Sequence, residues 1–343
     1  MPINVVALDG DTRCWDDLVR ASPESSFCHL SAWREILSGV LGAECLYRIA
    51  VDDAGVWQGL LPLVRVRSRI FGHYLVSMPF LNEGGPIGSS VAQQRLVDAA
   101  VSEARRTKAD LLELRTRHDA ELELPASSRK VTVLLPLDAN PAARFARFPA
   151  KLRSQIRRPV KEGLVAQFGP EQLHPFYDVF ARTMRDLGTP VLPRAFFERI
   201  SRAFPELVRF GVVYRGTEPV AGGCGFLWRE EFEITWAGAL RSSRSISANM
   251  LLYWALMEHV MLQGARVFNF GRCTPDGGTH RFKKQWGGMD VALPWRQFTA
   301  PESARGAPPS PDDRAFSWGP KLWRRLPLPL ANLMGPRLVR FLP

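Results

Sequence analysis

The sequence predicts a mixed α/β fold built twice over, and three observations carry that expectation. The chain has 343 residues, more than a single hydrophobic core usually organises, so two domains or one duplicated unit are expected. Its composition, 46% hydrophobic and 23% charged, is that of an ordinary globular protein. The third observation is an order of elements (strand, hairpin, strand, third strand, loop, helix, strand) that occurs in the first half and again in the second.

In the first half, residues 14–37 read as short helices, with Trp15, Leu18, Val19, Trp33, Ile36 and Leu37 at helical spacing. Residues 46–51 and 56–66 read as strands joined by the turn Asp52-Asp53-Ala54-Gly55, since Asp and Gly supply the backbone angles of a hairpin. A third apolar run, 74–80, ends in the loop Asn82-Glu83-Gly84-Gly85-Pro86. Residues 91–108 then have helical periodicity and 111–114 read as a buried strand.

The second half repeats this order. Strands at 208–214 and 220–228 flank the turn 215–219, a third strand spans 232–240, and a long apolar helix over 247–263 precedes a strand at 266–270. Setting KADLLEL (108–114) against GARVFNF (264–270) aligns the ends of the two copies. The glycines at 222, 223 and 225 mark a strand bulge. The expected division is 1–143 and 144–298 for the two domains, 299–315 as a disordered linker rich in proline and serine, and 316–343 as a basic apolar tail.

Between the halves lies RFARFPAKLRSQIRRPVKEGL (144–164). Arg153, Arg157 and Lys161 fall on one helical face and Leu152, Ile156, Val160 and Leu164 on another, an amphipathic helix with a cationic stripe. Pro159 removes a backbone donor and clashes with the preceding turn, so a kink or break is expected near Arg158. Seven basic residues from Arg144 to Lys161 meet no acid before Glu162, which favours an anion site over a solvated face. In the tail, Trp318, Leu322, Trp323, Leu326, Leu328, Leu330, Leu333 and Met334 alternate with Lys321, Arg324, Arg325, Arg337 and Arg340. That mixture fits either an interfacial segment on an anionic membrane or packing against the protein's own surface. Pro327 and Pro329 argue against one continuous helix.

The densest run of exacting residue types is FNFGRCTPDGGTHRFKKQWGG (268–288). Cations beside aromatics there suit an anionic, planar or phosphorylated ligand. The net charge of +11 biases the whole protein toward anionic partners without choosing among them. Cys14, Cys28, Cys45, Cys224 and Cys273 show no CxxC and no histidines at metal-ligand spacing, so reduced thiols and a non-metal site are expected. The amino terminus lacks the pattern of a secretory signal and no apolar run reaches spanning length. The reading is a cytoplasmic protein that is soluble or lies at the inner face of the cytoplasmic membrane.

KLRSQIRRPVKEGL (151–164) together with the 268–288 run resembles the FemAB-like acyltransferases, and more narrowly their exosortase- and exopolysaccharide-associated branch. The similarity covers most of residues 1–298. The resemblance implies two tandem GNAT-like domains and transfer of an acyl or aminoacyl group from acyl-CoA or aminoacyl-tRNA to an amine of an envelope or exopolysaccharide precursor. No tightly bound cofactor is implied. Lys151, Arg153 and Arg157 match the family's basic helix. Arg272, Gly278, Thr279, Arg281, Phe282, Lys283 and Trp286 match its carboxy-terminal motif, with Lys284 beside them.

The chemistry asks for a base or ordered water, donors for the tetrahedral oxyanion, and cations for the donor's phosphates. The resemblance to GNAT folds implies donors from the backbone where the sheet's strands diverge, near Trp236 to Gly238. The loop ending at Asn249 precedes the long helix and offers amides to a phosphate, although it lacks the Arg/Gln-x-x-Gly-x-Gly/Ala pattern of coenzyme A-dependent GNAT enzymes, which leaves room for a tRNA acceptor end. Glu83 and Asp276 are the candidate catalytic carboxylates, with Glu233 also in view; Asp276 reads more simply as a turn former and Glu83 admits the same reading, His280 is a titratable group that reads more simply as a surface contact, and Cys273 reads as structural. Arg281, Phe282, Lys283 and Trp286 are expected to face a cleft. A non-catalytic protein holding an anionic lipid-linked saccharide is the alternative.

Overall fold

The computed structural model describes residues 2–10, 12–68, 71–118, 121–300 and 318–342. The chain forms two compact units. One holds the chain up to Lys130, a segment returning at Ala292 and a last piece from Arg337; the other holds Val131–Val291 and a piece ending at Pro336. The expected division at 143/144 is therefore displaced to 130/131. The reason lies in the strand β9 (Ala126–Pro136), whose residues from Val131 onward are hydrogen-bonded into the second unit's sheet. Of the expected linker, residues 301–315 lie outside the described residues.

The first unit opens with β1 (Ile3–Ala7), α1 (Thr12–Ala21) and α2 (Ala32–Leu41), followed by β2 (Glu44–Cys45), β3 (Arg48–Asp52), β4 (Trp57–Leu61), β5 (Leu63–Ser68) and β6 (Gly72–Ser77). β7 (Ile87–Gly88), α3 (Ser90–Thr107) and β8 (Leu111–Leu114) complete the series. One sheet has the order β1-β3-β4-β7, and β8-β6-β5-β2 are consecutive strands of another. The hairpin turn between β3 and β4 forms as its residues predict: the Asp52 carboxylate accepts from the amides of Ala54 and Val56 and Gly55 takes φ 80°. The single strand expected over 56–66 is instead two, in different sheets. They are separated by Pro62, which has no N–H to give a ladder. Ala92, Leu96, Val97, Ala100 and Ala104 form the buried face of α3, the crossover that makes β6 and β8 parallel.

The second unit continues with α4 (Pro141–Arg147), α5 (Ala150–Lys161), β10 (Leu164–Phe168), α6 (Leu173–Leu187), α7 (Arg194–Ala203), β11 (Val208–Arg215), β12 (Glu218–Trp228), β13 (Glu231–Ala239), α8 (Ala248–Met261) and β14 (Val267–Cys273). After these come α9 (Gly278–Lys284), β15 (Met289–Phe298), α10 (Trp318–Trp323) and α11 (Leu328–Val339). The end of β15 from Arg296 to Phe298 belongs to the first unit and pairs there with β8. The second unit's sheet runs β10-β11-β12-β13-β14-β9, with β13 and β14 parallel across α8. The repeat read from the sequence is thus present as a parallel pair and its crossover helix in each unit. The bulge read from the glycines lies between Cys224 and Gly225, where a Cβ on Gly225 would stand 2.3 Å from the Glu233 carbonyl oxygen.

α8 is apolar on all sides and buried nearly throughout, as expected of a helix covered on both faces. Aromatics make much of the cover: Phe145 and Phe148 lie with ring centroids 5.0 and 5.7 Å from Trp254. The break expected near Arg158 does not occur; α5 runs through Pro159 to Lys161. Proline sits here in the last turn, so the helix loses one hydrogen bond three residues before Glu162 ends it. Among the described residues, no helix is long and apolar enough to cross a membrane.

Candidate active site

The basic helix and the carboxy-terminal motif, far apart in sequence, meet in the second unit. Trp286 lies 5.6 Å from Phe148, centroid to centroid, and its carbonyl oxygen accepts from Arg144 Nη2 at 3.4 Å. Trp286 does not face a cleft: it is fully buried among Phe148, Tyr253 and Phe270. Phe282, half-buried, stands edge-on to Tyr253 at 4.9 Å. Both aromatics work as core, because the turn after α9 folds back on α8.

The cationic stripe is likewise partly structural. Arg153 Nη1 donates to the carbonyls of Ala146 and Phe148 at 2.8 and 2.9 Å, satisfying acceptors at the end of α4. The Arg157 guanidinium lies 5.0 Å above the Phe145 ring, a cation–π arrangement. The carboxylate expected to be missing from this segment is supplied just before it: Asp138 pairs with Arg147 at 3.0 Å and with Arg144 at 3.9 Å. Lys151, Arg158 and Lys161 remain on the exposed face.

The centre of the site is the place where β13 and β14 part. They pair only from Glu231/Val267 to Glu233/Asn269, although β13 continues to Ala239 and β14 to Cys273. Beyond Asn269, β14 bulges against β9, with Gly271 at φ 69°. Such a positive φ is cheap only for glycine. Asn269 fixes the start of the bulge: its Oδ1 accepts from the Gly271 amide at 2.8 Å and Thr132 Oγ1 at 2.5 Å, and its Nδ2 donates to Glu231 Oε1 at 2.8 Å and Glu233 Oε2 at 3.3 Å.

Lys283 reaches this bulge from α9. Its Nζ donates to the Gly271 and Arg272 carbonyls at 2.6 and 2.8 Å, and the residue is only 3% exposed. Burial lowers its pKa from 10.5 to about 8, against the opposing pull of Cys273 and Glu233. A lysine this close to neutrality exchanges a proton readily. Neighbouring residues hold α9 in place. His280 accepts the Asp276 amide on Nδ1 at 3.0 Å, which leaves the proton on Nε2 to donate to Asp290 at 3.0 Å. Lys284 also reaches Asp290, at 3.2 Å, and donates to the Gly288 carbonyl at 2.9 Å. His280 is therefore a buried strut and not the surface contact expected.

Asp276 takes φ 62° and its carbonyl accepts from Arg281 Nη1 at 2.7 Å, the turn-forming reading of that residue. Gly278, Thr279, Arg281 and Lys284 are exposed along α9, and Arg272 is half-buried. The Trp236 ring packs on Phe197 at 5.2 Å and Phe196 at 5.8 Å, while its backbone lies on β13 beyond the last residue that pairs with β14. Asn249 lies half-buried in the first turn of α8, after a loop with Arg241 and Arg244 exposed. Arg241 donates to the Asp186 carbonyl at 2.7 Å.

Glu83 belongs to the first unit. There it pairs with Arg117 at 3.3 Å in a cleft of about 330 Å³ lined also by Glu24, His29, Arg115 and His118. Arg115 Nη1 ties the preceding loop through the Met78 and Leu81 carbonyls at 3.2 and 2.8 Å, and its own carbonyl accepts the Gly84 and Gly85 amides. His29 Nδ1 accepts the Ser26 amide, so Nε2 donates to the Gly85 carbonyl at 3.0 Å. Burial lowers the His29 pKa to about 4, which keeps the ring neutral. Sequence reasoning passed over Asn269 and Thr132. The signal was there: a polar side chain in the otherwise apolar strand Val-Phe-Asn-Phe must find partners when buried.

Residues 146–284, all within the second unit, match the family described as Acetyltransferase (GNAT) domain. The second unit therefore matches a GNAT domain over most of its length. Among solved structures, FemX shares 15% identity at a TM-score of 0.63, with 88% of this chain and 98% of that one covered. L-PGS from Bacillus licheniformis shares 12% at 0.56, covering 96% and 97%. A tandem GNAT protein from the clavulanic acid biosynthesis pathway shares 13% at 0.51, covering 87% and 98%. The chain has a tandem-GNAT fold. No curated protein matches it.

Proposed function

We propose that the second unit transfers an acyl or aminoacyl group from an activated donor to an amine at the parting of β13 and β14. The observation that carries this reading is Lys283, a buried lysine with its pKa near 8, bound to the bulge where the two strands separate. With β14 turned away, the backbone of β13 beyond Glu233 is the edge against which the donor's carbonyl is polarised. The amine attacks that carbon; a C–N bond forms and the C–O or C–S bond to the carrier breaks. Lys283 accepts the proton the amine sheds and returns it to the departing oxygen or sulfur, which leaves Lys283 unchanged. Glu83 and Asp276 have no part in this scheme.

The finer assignment is aminoacyl transfer from aminoacyl-tRNA to an envelope or exopolysaccharide precursor, in the cytoplasm. It is supported by the absence of the glycine-rich pyrophosphate pattern before α8 and by the exposed Arg241 and Arg244 there, which suit a donor's phosphates. A structural neighbour named as a putative lysylphosphatidylglycerol synthetase, with a TM-score of 0.57, also bears on it, since that product is an aminoacylated lipid.

The test is single-turnover transfer with aminoacyl-tRNA and acyl-CoA donors across pH. Wild-type kcat/KM is expected to rise as pH passes through about 8. Lys283→Met should lose on the order of 10²-fold or more, and Lys283→Arg should not restore the rise. A profile that falls through pH 8 would make the charged ammonium the working form and reject proton acceptance. Donor binding with no turnover by wild type would favour the non-catalytic alternative.

A further inference from the structure

We infer that α10 and the first part of α11 form a docking surface for an anionic lipid bilayer. The helices are firmly seated on the second unit. Arg324 Nη2 donates to the Leu187 carbonyl at 3.2 Å, Arg185 Nη1 donates to the Leu326 carbonyl at 3.2 Å, and the Trp323 side chain is buried. The first part of α11 makes its contact through small residues: Ala331 is buried, and a Cβ on Gly335 would stand 3.0 Å from the Val191 amide nitrogen.

This inverts the usual arrangement of a surface helix, in which large apolar side chains face the core. Leu330, Leu333 and Met334, at i, i+3 and i+4, share the opposite face of α11 and are 47%, 55% and 41% exposed. Leu322 on α10 is 57% exposed. Of the twelve large apolar side chains exposed among the described residues, these four fall between positions 322 and 334. A concentration of that kind marks an interaction surface.

The charge decides the partner. Lys321, Arg324 and Arg325 are exposed on α10 and just after it, and the sequence from 314 to 343 contains six cations and no Asp or Glu. Leucine and methionine enter the acyl boundary while lysine and arginine meet lipid phosphates. A protein interface of this size would be expected to interleave both signs of charge, which this segment lacks. The docking surface is independent of the transfer chemistry, so its failure leaves that reading standing.

The experiment is co-sedimentation of the full chain with vesicles of phosphatidylcholine mixed with phosphatidylglycerol, and with pure phosphatidylcholine vesicles. Wild type should bind the mixed vesicles, and binding should weaken as salt is raised. The variant Leu330→Ser/Leu333→Ser/Met334→Ser should bind roughly tenfold or more weakly with an unchanged melting curve, because the replaced side chains already face solvent. Lys321→Gln/Arg325→Gln should lose the preference for anionic vesicles. Equal binding of wild type and the triple variant would overturn the proposal. So would wild type that ignores vesicles but self-associates in sedimentation velocity, with the triple variant monomeric; the apolar face would then be an interface between copies.

Discussion

At the scale of single residues, the decisive feature is the cost of keeping Lys283 charged. Its pKa of about 8 in the folded chain against 10.5 ordinarily corresponds to roughly 3 kcal/mol. Between those pH values the unfolded chain binds more protons than the folded one. The stability that Lys283 contributes is therefore present above pH 10.5 and is lost as pH falls through 8. Urea unfolding at pH 7 and pH 10 should show wild type gaining up to ~3 kcal/mol relative to Lys283→Met on going to the higher pH. A constant difference between the two proteins would place the lysine in water. Glu113 shows how the same position was used twice. It aligns with Asn269 in the duplicated strands, is buried like it, and accepts from Arg115 Nε and Gln297 Nε2, both at 2.9 Å.

At the scale of elements, close approaches separate glycines that are required from those that are not. Gly225→Ala puts a methyl group 2.3 Å from the Glu233 carbonyl oxygen on the neighbouring strand and should destabilise the protein by about 1–3 kcal/mol through overpacking. Gly278→Ala meets nothing within 4 Å and should fall within about 0.5 kcal/mol of wild type; denaturant titration of both variants measures the contrast. Arg153→Ala should cost about 1–2 kcal/mol, because two carbonyls at the end of α4 lose a charged donor. An effect on donor affinity with no effect on stability would instead restore Arg153 to the anion-binding role expected from the sequence.

At the scale of the whole chain, residues 318–336 belong to the second unit as well as presenting a surface. Deleting 318–343 should lower the melting temperature by on the order of 5 °C, since it uncovers the seats of Trp323 and Ala331. Loss of vesicle binding in that truncation would not separate docking from folding, which is why surface substitutions are the sharper probe. Much of this organisation was legible in the order of residues. Asp52 and Gly55 announced the hairpin, the apolar run over 247–263 announced α8, and KADLLEL against GARVFNF announced the duplication. These are local signals, fixed by backbone angles and by the period of apolar residues. What the tertiary structure alone decided is which side chains of the two basic motifs are spent inside. Trp286 became core against Phe148 and Tyr253, while Arg153 became a helix-end donor and Lys283 a buried amine on a strand bulge, because burial and pairing depend on how the segments pack on one another. Chain order specifies that cations and aromatics are present; only packing sets which of them meet water and at what pKa they hold their protons.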